Sequence, residues 1–595
     1  MKSKFPYNTS DLKPSRRDFM RLGGASLAAA MMMRYGGLPP ILAQGMGDIP
    51  VELHPGSPNN PRGWTTTLPP IPDGMPVDPP VTITGSRRGP WEFADGDDIE
   101  NSNFTRLNAA VTGINWKLAF TWTDNEAEVL QKYNLAIASD ELPDFMETVP
   151  LQIYSELLDN DLIEDITDVW DEAAHPVWLK EAMGFSDGIA WRLAEVNGRK
   201  MGVPYIEQAA QNDKVLWIRQ DWLDAVGMSA PTTIEELHAV MTAFVEADMG
   251  QGGDGTTLGI AANRQVNTWY CSLDPIFGAW GVMPTFWTPD ENGDLQYDSV
   301  RPEIKEVLGT LRQWYSEGLL AQDFFTFAPW QNSGTHIGGN LAGIMYSPAF
   351  GAVYGLPDSV ANDPDARWAF GDIPTGPSGI KKKAWSNPVP DTVYVFRKGF
   401  EHVDLVLKQM AWWAELLQNP KNRYHGFEGT AYFWRNEDGE IDPMGGTLDL
   451  NGYDDTKHIW GPPGTNGGSR TDPFFETNWI KERRNVWANT PEDERDALME
   501  AFLGGDPLSV LWDEANVFAV DHWEADGIKN HFLTVPTRTM ERAGASLDGL
   551  EAETYINIIN GQEPLDRFDS FVEEWHSGGG DRITDEVNEW WHAQM

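Results

Sequence analysis

Two hydrophobic periods meet between residues 214 and 246. Val215 to Ile218 is an unbroken apolar run, the pattern of a short strand buried in a parallel sheet. Trp222 to Val226 makes a helical turn, and Gly227 stands where a left-handed stop residue belongs. Pro231 cannot extend a helix, so the next one starts after it. Thr232 with Glu235 fits a capping box. Ile234, Leu237, Val240, Met241, Phe244 and Val245 then recur at helical spacing and bury one face.

The same reading extends along the chain. Val81-Thr82-Ile83-Thr84 predicts a first strand that ends at Gly85-Ser86-Arg87-Arg88. Residues 101–111 predict a helix, residues 116–121 an alternating strand, and residues 124–139 a second helix. This βαβα order implies a parallel sheet with helices on its faces. A helix over 303–317 carries Ile304, Val307, Leu308, Leu311 and Trp314 on one side. Residues 403–417 form another. Leu565, Phe568, Phe571, Val572 and Trp575 share a face near the end. Residues 46–80 are rich in Pro and Gly and read as a tether or extended wrap. Residues 419–480 read as a loop-rich insertion.

Composition changes this picture at three points. First, Ser15-Arg16-Arg17-Asp18-Phe19-Met20-Arg21 resembles a twin-arginine (Tat) export motif. The apolar run that follows, residues 22–33, is shorter than the roughly 20 residues a bilayer needs. With a small-residue exit around 41–45, residues 1–45 are expected to be a signal peptide and the mature protein to be periplasmic or extracellular. Second, Cys271 is the only cysteine. It rules out an intrachain disulfide and a Cys-x-x-Cys site, and none stands at the leader exit to carry a lipid anchor. Third, 44 basic against 90 acidic residues give a formal charge of −46. That charge argues against nucleic acid and anionic membranes as partners. It repels itself unless screened, so a salt-rich habitat is expected, with a melting temperature that rises with salt. The residues left after a leader are too many for one core and suit two lobes or more.

The block 214–246 resembles the strand-to-helix signature of bacterial extracellular solute-binding proteins, the receptors of ABC importers. NLAIASDELPDF (134–145), LDNDLIEDITDVWDEAA (158–174), NGRKMGVPYIE (197–207), SVRPEIKEVLGTLRQWYSEGLLAQDFF (299–325) and ETYINIINGQEPLDRFDSFVEEWHSGGGDRITDEVNEWW (553–591) extend the likeness. The last segment is similar to the end of the large family 1 subfamily of LplA-like and alginate-binding oligosaccharide receptors. The resemblance implies an α/β fold of two lobes with a hinge and a ligand cleft. Lobe one would hold 81–212 and 345–388, and lobe two 213–344 and 389–595. It further implies a carbohydrate ligand, hinge closure, permease subunits as partners, a monomer with no membrane anchor, and no catalysis.

Twenty-seven Trp residues suit such a ligand. Sugars show flat C–H faces that an indole covers, ringed by hydroxyls that amides, carboxylates and guanidinium groups bond. One half-covered indole removes about 100 Å² from water, or roughly 2 kcal/mol. Trp122 follows a strand end, Trp269 and Tyr270 precede Asp274-Pro275, and Trp280 lies in FGAWG. Tyr205 and Glu207 sit at the crossover, Tyr346 and Trp385 flank the return crossings, and Arg87 ends the first strand with Arg88. These are the candidate ligand residues, with core packing as the alternative for the rings and a solvated pair for the arginines. Trp314, Trp412, Trp413 and Trp575 read as core. Lys381-Lys382-Lys383 reads as a surface loop, with an anion clamp as the alternative.

Some receptors of the subfamily carry a calcium loop of Asp-x-Asn-x-Asn-Gly type. Here that stretch has Gly250 and Gly252 at two ligand positions, leaving Asp248 and Asp254 as a weak calcium candidate, so no cofactor is expected. Asp290-Glu291-Asn292-Gly293-Asp294 reads as a hairpin turn. No His-x-x-His pair, Gly-x-Ser-x-Gly elbow or P-loop is present. A glycan-active hydrolase and a surface adhesin without a transporter remain the alternative readings.

Overall fold

The computed structural model describes residues 71–89, 98–101, 103–123, 126–172, 191–205, 212–265, 269–327, 333–352, 354–387, 392–418, 463 and 507–594, with four two-residue strand fragments elsewhere. The export segment, Glu207 and nearly all of the 419–480 insertion lie outside the described residues. Among the described residues no helix is long and apolar enough to cross a membrane.

The elements used below run β1 (Val81–Arg88), α1 (Asn103–Thr112), β2 (Ile114–Trp122), α2 (Glu126–Ser139), β3 (Phe145–Pro150) and β4 (Val203–Pro204). They continue with β5 (Lys214–Arg219), α3 (Gln220–Val226), α4 (Ile234–Glu246), α5 (Pro302–Ser316), β6 (Ile344–Pro348), β7 (Trp368–Gly371) and β8 (Lys383–Ala384). Last come β9 (Thr392–Phe396), α6 (Val403–Gln418), α7 (Pro507–Asp526), β10 (Gly527–Ile528), α8 (Arg538–Ile559), α9 (Arg567–Trp575) and α10 (Asp581–Gln594).

The chain divides into two compact units. Of the described residues, those from 71 to 205 and from 392 to 463 belong to the first, and those from 212 to 387 and from 507 to 594 to the second. This corrects the expected partition, which put 345–388 with the first lobe and everything after 389 with the second. Strand pairing decides the matter. β6 pairs with β5 through Ile344–Ile218 to Pro348–Lys214, so the chain past 344 stays in the second unit. β9 pairs with both β3 and β4, so the chain returns to the first unit after 387.

The first unit is built on a five-stranded sheet in the order β2-β1-β3-β9-β4. β1 runs parallel to β2 and β3, as the βαβα pattern predicts, and β9 runs antiparallel to β3. Gly113 makes the tight turn between α1 and β2 at φ 74°. A Cβ there would sit 2.5 Å from the Val77 carbonyl oxygen, so no other residue fits. The hairpin Glu195–Val196 with Arg199–Lys200 turns on Asn197 and Gly198 at positive φ, the Asn-Gly turn that a two-residue hairpin favours.

The second unit centres on β5, flanked by β6 and β7. Both neighbours run antiparallel to it, which corrects the parallel sheet expected from its apolar run. A strand buried on both faces has the same composition in either direction, and every residue of β5 is buried. α3 stops at Gly227 in the left-handed region. The cap of α4 lies one residue later than the expected pair. Thr233 Oγ1 accepts from the Glu236 amide, while Glu236 accepts from the amide and hydroxyl of Thr232. α4 buries Ile234, Leu237, Val240, Met241 and Phe244, each worth roughly 1.5–3 kcal/mol relative to exposure. α5 buries all five residues predicted for its inner face. The hairpin Trp287–Pro289 with Leu295–Tyr297 turns at Gly293, as expected.

Candidate ligand-binding site

In the first unit, β1 and β2 end side by side at Arg88 and Trp122, and the Gly89 amide closes the pair by bonding the Trp122 carbonyl at 2.8 Å. Ligands of open α/β sheets sit beyond such carboxyl ends. Arg87 is 1% exposed, and its Nε lies 3.4 Å from Glu147 Oε2 on β3. Arg88 is exposed. Two β-bulges border this edge. One leaves Ala119 without a partner on β1, and the other sets Glu147 and Thr148 against Tyr394 alone. Thr148 stands at φ 46°, a conformation a β-branched residue adopts only under constraint. Bulges and strained residues concentrate where a sheet re-aims side chains for function.

Rings at this edge are packed away. Trp122 is 4% exposed and contacts Phe120 and Tyr133. Tyr133 shares a hydrogen bond of 3.1 Å with Ser86, and burial pushes its phenol pKa well up. Tyr205 is buried edge-on against Tyr394. Neither Trp122 nor Tyr205 presents a ring face.

The second unit differs. Trp269, Phe350 and Tyr354 are half-buried and touch in sequence, with centroids 5.6 Å apart for Trp269 and Phe350 and 5.1 Å for Phe350 and Tyr354. Trp269 Nε1 donates to Asn212 Oδ1 at 3.1 Å, which fixes the indole beside a side-chain amide. Phe350 and Tyr354 follow β6 at a spacing of four residues, a pattern legible in the sequence but not singled out there. Cys271, two residues from Trp269, is held at φ 49° and fully buried. Burial pushes its thiol pKa above the usual range.

The other candidates in this unit are packed inside. Tyr270 is fully buried and its hydroxyl donates to the Tyr354 carbonyl. Tyr346 is fully buried on β6, and its hydroxyl has no partner. Trp385 is 3% exposed, stacked on Trp523 at 5.0 Å and 8°. Trp280 is half-buried against the core, and its Nε1 donates to Glu306 at 3.0 Å. Trp314, Trp412, Trp413 and Trp575 are core, as their helical patterns predict.

The basic run 381–383 is not a plain surface loop. Lys383 is 1% exposed, with Nζ 2.5 Å from Asp213 Oδ2 and bonded to the Lys214 carbonyl. Lys214 Nζ lies 3.8 Å from Asp274 Oδ1, and Asp274 Oδ2 accepts the Ala384 amide. The cluster therefore ties the start of β5 to β8. Burial pushes the Asp213 carboxyl up to about 6 despite the Lys383 charge. Lys381 pairs with Asp372 and Asp526.

The described residues thus form two α/β units that share the chain, one with a mixed sheet and one with an aromatic patch. No family model matches the chain. It is 23% identical over 396 residues to the polygalacturonan/rhamnogalacturonan-binding protein YtcQ of Bacillus subtilis (strain 168), a match covering 66% of this chain and 70% of that protein. It is 22% identical over 221 residues to the fructooligosaccharide ABC transporter substrate-binding protein FusA of Streptococcus pneumoniae, covering 34% of this chain and 39% of FusA. The solved FusA EF-hand mutant in complex with fructo-nystose has a TM-score of 0.57 at 15% identity, over 86% of this chain and 99% of that one. The alginate-binding protein AlgQ2, solved without calcium ion, has a TM-score of 0.57 at 16% identity, over 87% of this chain and 99% of that one. The chain thus has the two-lobed solute-binding-protein fold, and the two relatives named above are binding proteins, FusA that of an ABC transporter.

Proposed function

We propose that this protein is an exported receptor that captures an oligosaccharide, passes it unaltered to the permease of an ABC transporter, and is not an enzyme. The observation that carries the reading is the half-buried set Trp269, Phe350 and Tyr354 beside Asn212, on a fold whose relatives bind polygalacturonan, fructooligosaccharide and alginate. Indole and phenyl faces cover sugar C–H surfaces while the amide bonds a hydroxyl. A stacked ring supplies roughly 2 kcal/mol. Micromolar affinity needs about 8 kcal/mol, so polar groups carry a large share.

A melting-shift screen of neutral and uronic-acid oligosaccharides tests the reading, because a bound ligand raises apparent stability by mass action. A hit recovered chemically unchanged supports the receptor; a cleaved product sinks it in favour of a hydrolase. A ligand-induced fall in radius of gyration by solution scattering supports hinge closure, and an unchanged radius with saturable binding fits an adhesin instead. Tat export rests on Arg16-Arg17. Replacing both with Lys is expected to leave the precursor inside the cell, and normal export of that variant would remove this part of the proposal.

A further inference from the structure

Two solved structures of similar fold raise the question of a cation loop: FusA was solved as an EF-hand mutant and AlgQ2 without calcium ion. In this chain the corresponding stretch follows α4, at residues 248–258. We infer that this loop is closed by its own hydrogen-bond donors and takes no calcium, with Asp248 acting as an acceptor for protein groups where a cation-binding loop offers its carboxylate to the ion.

Asp248 leaves the helix at φ 48° and turns its carboxylate back into the loop. Its Oδ2 accepts the Gly255 amide at 2.8 Å, and its Oδ1 accepts the Thr257 hydroxyl at 2.8 Å. Thr257 Oγ1 in turn accepts the Gly250 amide at 2.7 Å. One chain of donors, Gly250 to Thr257 to Asp248, therefore spans the loop. The neighbouring oxygens are spent in the same way. The Gly253 carbonyl accepts from the Thr256 hydroxyl at 2.7 Å, and Gln251 Oε1 accepts from Asn340 Nδ2 at 3.3 Å.

Calcium asks for six to eight oxygens, largely carboxylates and amides that alternate along the loop. The alternate positions here are glycines and offer no side-chain oxygen, and the side chains around them already fill the adjacent space. A Cβ on Gly252 would stand 2.4 Å from Leu341 Cδ2 and 2.6 Å from Thr256 Oγ1, and one on Gly250 would stand 2.9 Å from Thr257 Oγ1. Asp254 is exposed. Among the described residues no group of three His, Cys, Asp or Glu is placed to hold a metal ion.

What the staple holds is visible too. The Gln251 amide bonds the Asn340 carbonyl, and Leu258 bridges Ala342 just before β6. Asn340 is fully buried, and its Oδ1 accepts from Arg219 of β5 and from Ser359. The loop thereby fastens the end of α4 to the buried polar centre of the second unit.

Direct calcium titration of the full chain after EDTA treatment is the test, with melting measured in calcium, magnesium and sodium chloride at equal ionic strength. The matched salts are needed because a formal charge of −46 draws cations without a site. The expected result is no stoichiometric calcium uptake and equal melting temperatures in calcium and magnesium. Thr257→Val, which removes both the donor to Asp248 and the acceptor for Gly250, is expected to lower melting by roughly 2–4 °C in either salt. One calcium per chain, with a melting rise that magnesium does not reproduce and that Asp248→Ala abolishes, would overturn the inference. Should Asp248→Ala not fold, stoichiometric uptake by the wild type that Thr257→Val weakens overturns it equally. Uptake that Asp248→Ala leaves intact belongs elsewhere in the chain and supports a cation-free loop. None of these readouts requires the sugar, so they stand apart from the receptor reading.

Discussion

At the carboxyl ends of the first unit's strands, the polar groups are Arg87, Arg88 and Glu147, and the rings of Trp122 and Tyr133 are buried. In both units the ion pairs are buried, Arg87 with Glu147 in the first, and it is the rings that differ. In the second unit Trp269, Phe350 and Tyr354 are half-buried, while Asp213, Lys383 and Asp274 are buried. Each unit also holds one residue at positive φ beside these groups, Thr148 in the first and Cys271 in the second. A flat, hydroxyl-rimmed ligand is held by stacking faces with polar groups at their rim, as Trp269 stands beside Asn212. Of the two units, the second is the one that offers partly exposed rings for stacking.

The largest effect expected from breaking this contrast is on stability. Lys383→Met strands Asp213 as an uncompensated buried charge, and loss of one partner of a buried pair costs about 3–5 kcal/mol. Denaturant unfolding would show it. The double variant with Asp213→Asn should recover most of the loss, and failure to recover would mean the pair is not the cause.

Next comes pH. Burial pushes Asp213 up to about 6 and Glu551 up to about 7. Tyr297 and Ser299 donate to Glu551, which eases its ionisation without undoing the burial cost. Both folded-state values exceed the unfolded ones. The sign is therefore that the native state is favoured with these groups protonated, and stability is lost as pH rises from about 4 to about 7, by roughly 3 kcal/mol for Glu551. Melting across this window checks it, and Glu551→Gln should flatten the slope. An unchanged slope in that variant would mean the global negative charge, not Glu551, sets the trend.

Trp269→Ala should weaken oligosaccharide binding by about 2 kcal/mol, roughly 30-fold, with little change in melting of the unliganded protein. Trp122→Phe, on a ring already buried, should leave affinity within a few-fold. Calorimetry on the pair tests the assignment of stacking to the second unit, and the reverse ranking would sink it. The smallest effect is at Thr148. Glycine there removes a strain of order 1–3 kcal/mol but gains backbone freedom in the unfolded chain, so a net rise of about 1 kcal/mol in stability is expected. A net loss would show that the Thr148 side chain makes contacts that outweigh the strain.

Local elements were readable because their signals are local. The apolar stripes of α4 and α5 repeat at helical spacing, and Gly227 and the Asn197-Gly198 turn sit where positive φ is needed. The cap of α4 missed by one residue because adjacent threonines, Thr232 and Thr233, offer the same chemistry, and only the backbone angle selects between them. The sense of β5 and the unit to which residues 345–387 belong were misread because both depend on which distant strand pairs with which. Of the candidate rings, Trp269 and Tyr270 are adjacent and alike in type, yet one is half-buried and the other fully so. Nothing in residue identity separates them.

The amino-acid order alone therefore determined the helices, the turns, the acidic balance and the α/β class, since period, glycine placement and charge are properties of neighbouring residues. Tertiary structure decided strand direction, unit membership, which indoles are only half-buried, and that a lysine in a basic run is buried against an aspartate. Those outcomes follow from contacts between segments more than a hundred residues apart, such as β5 with β6 and Asp213 with Lys383, whose pairing energy is not encoded in any single stretch of chain.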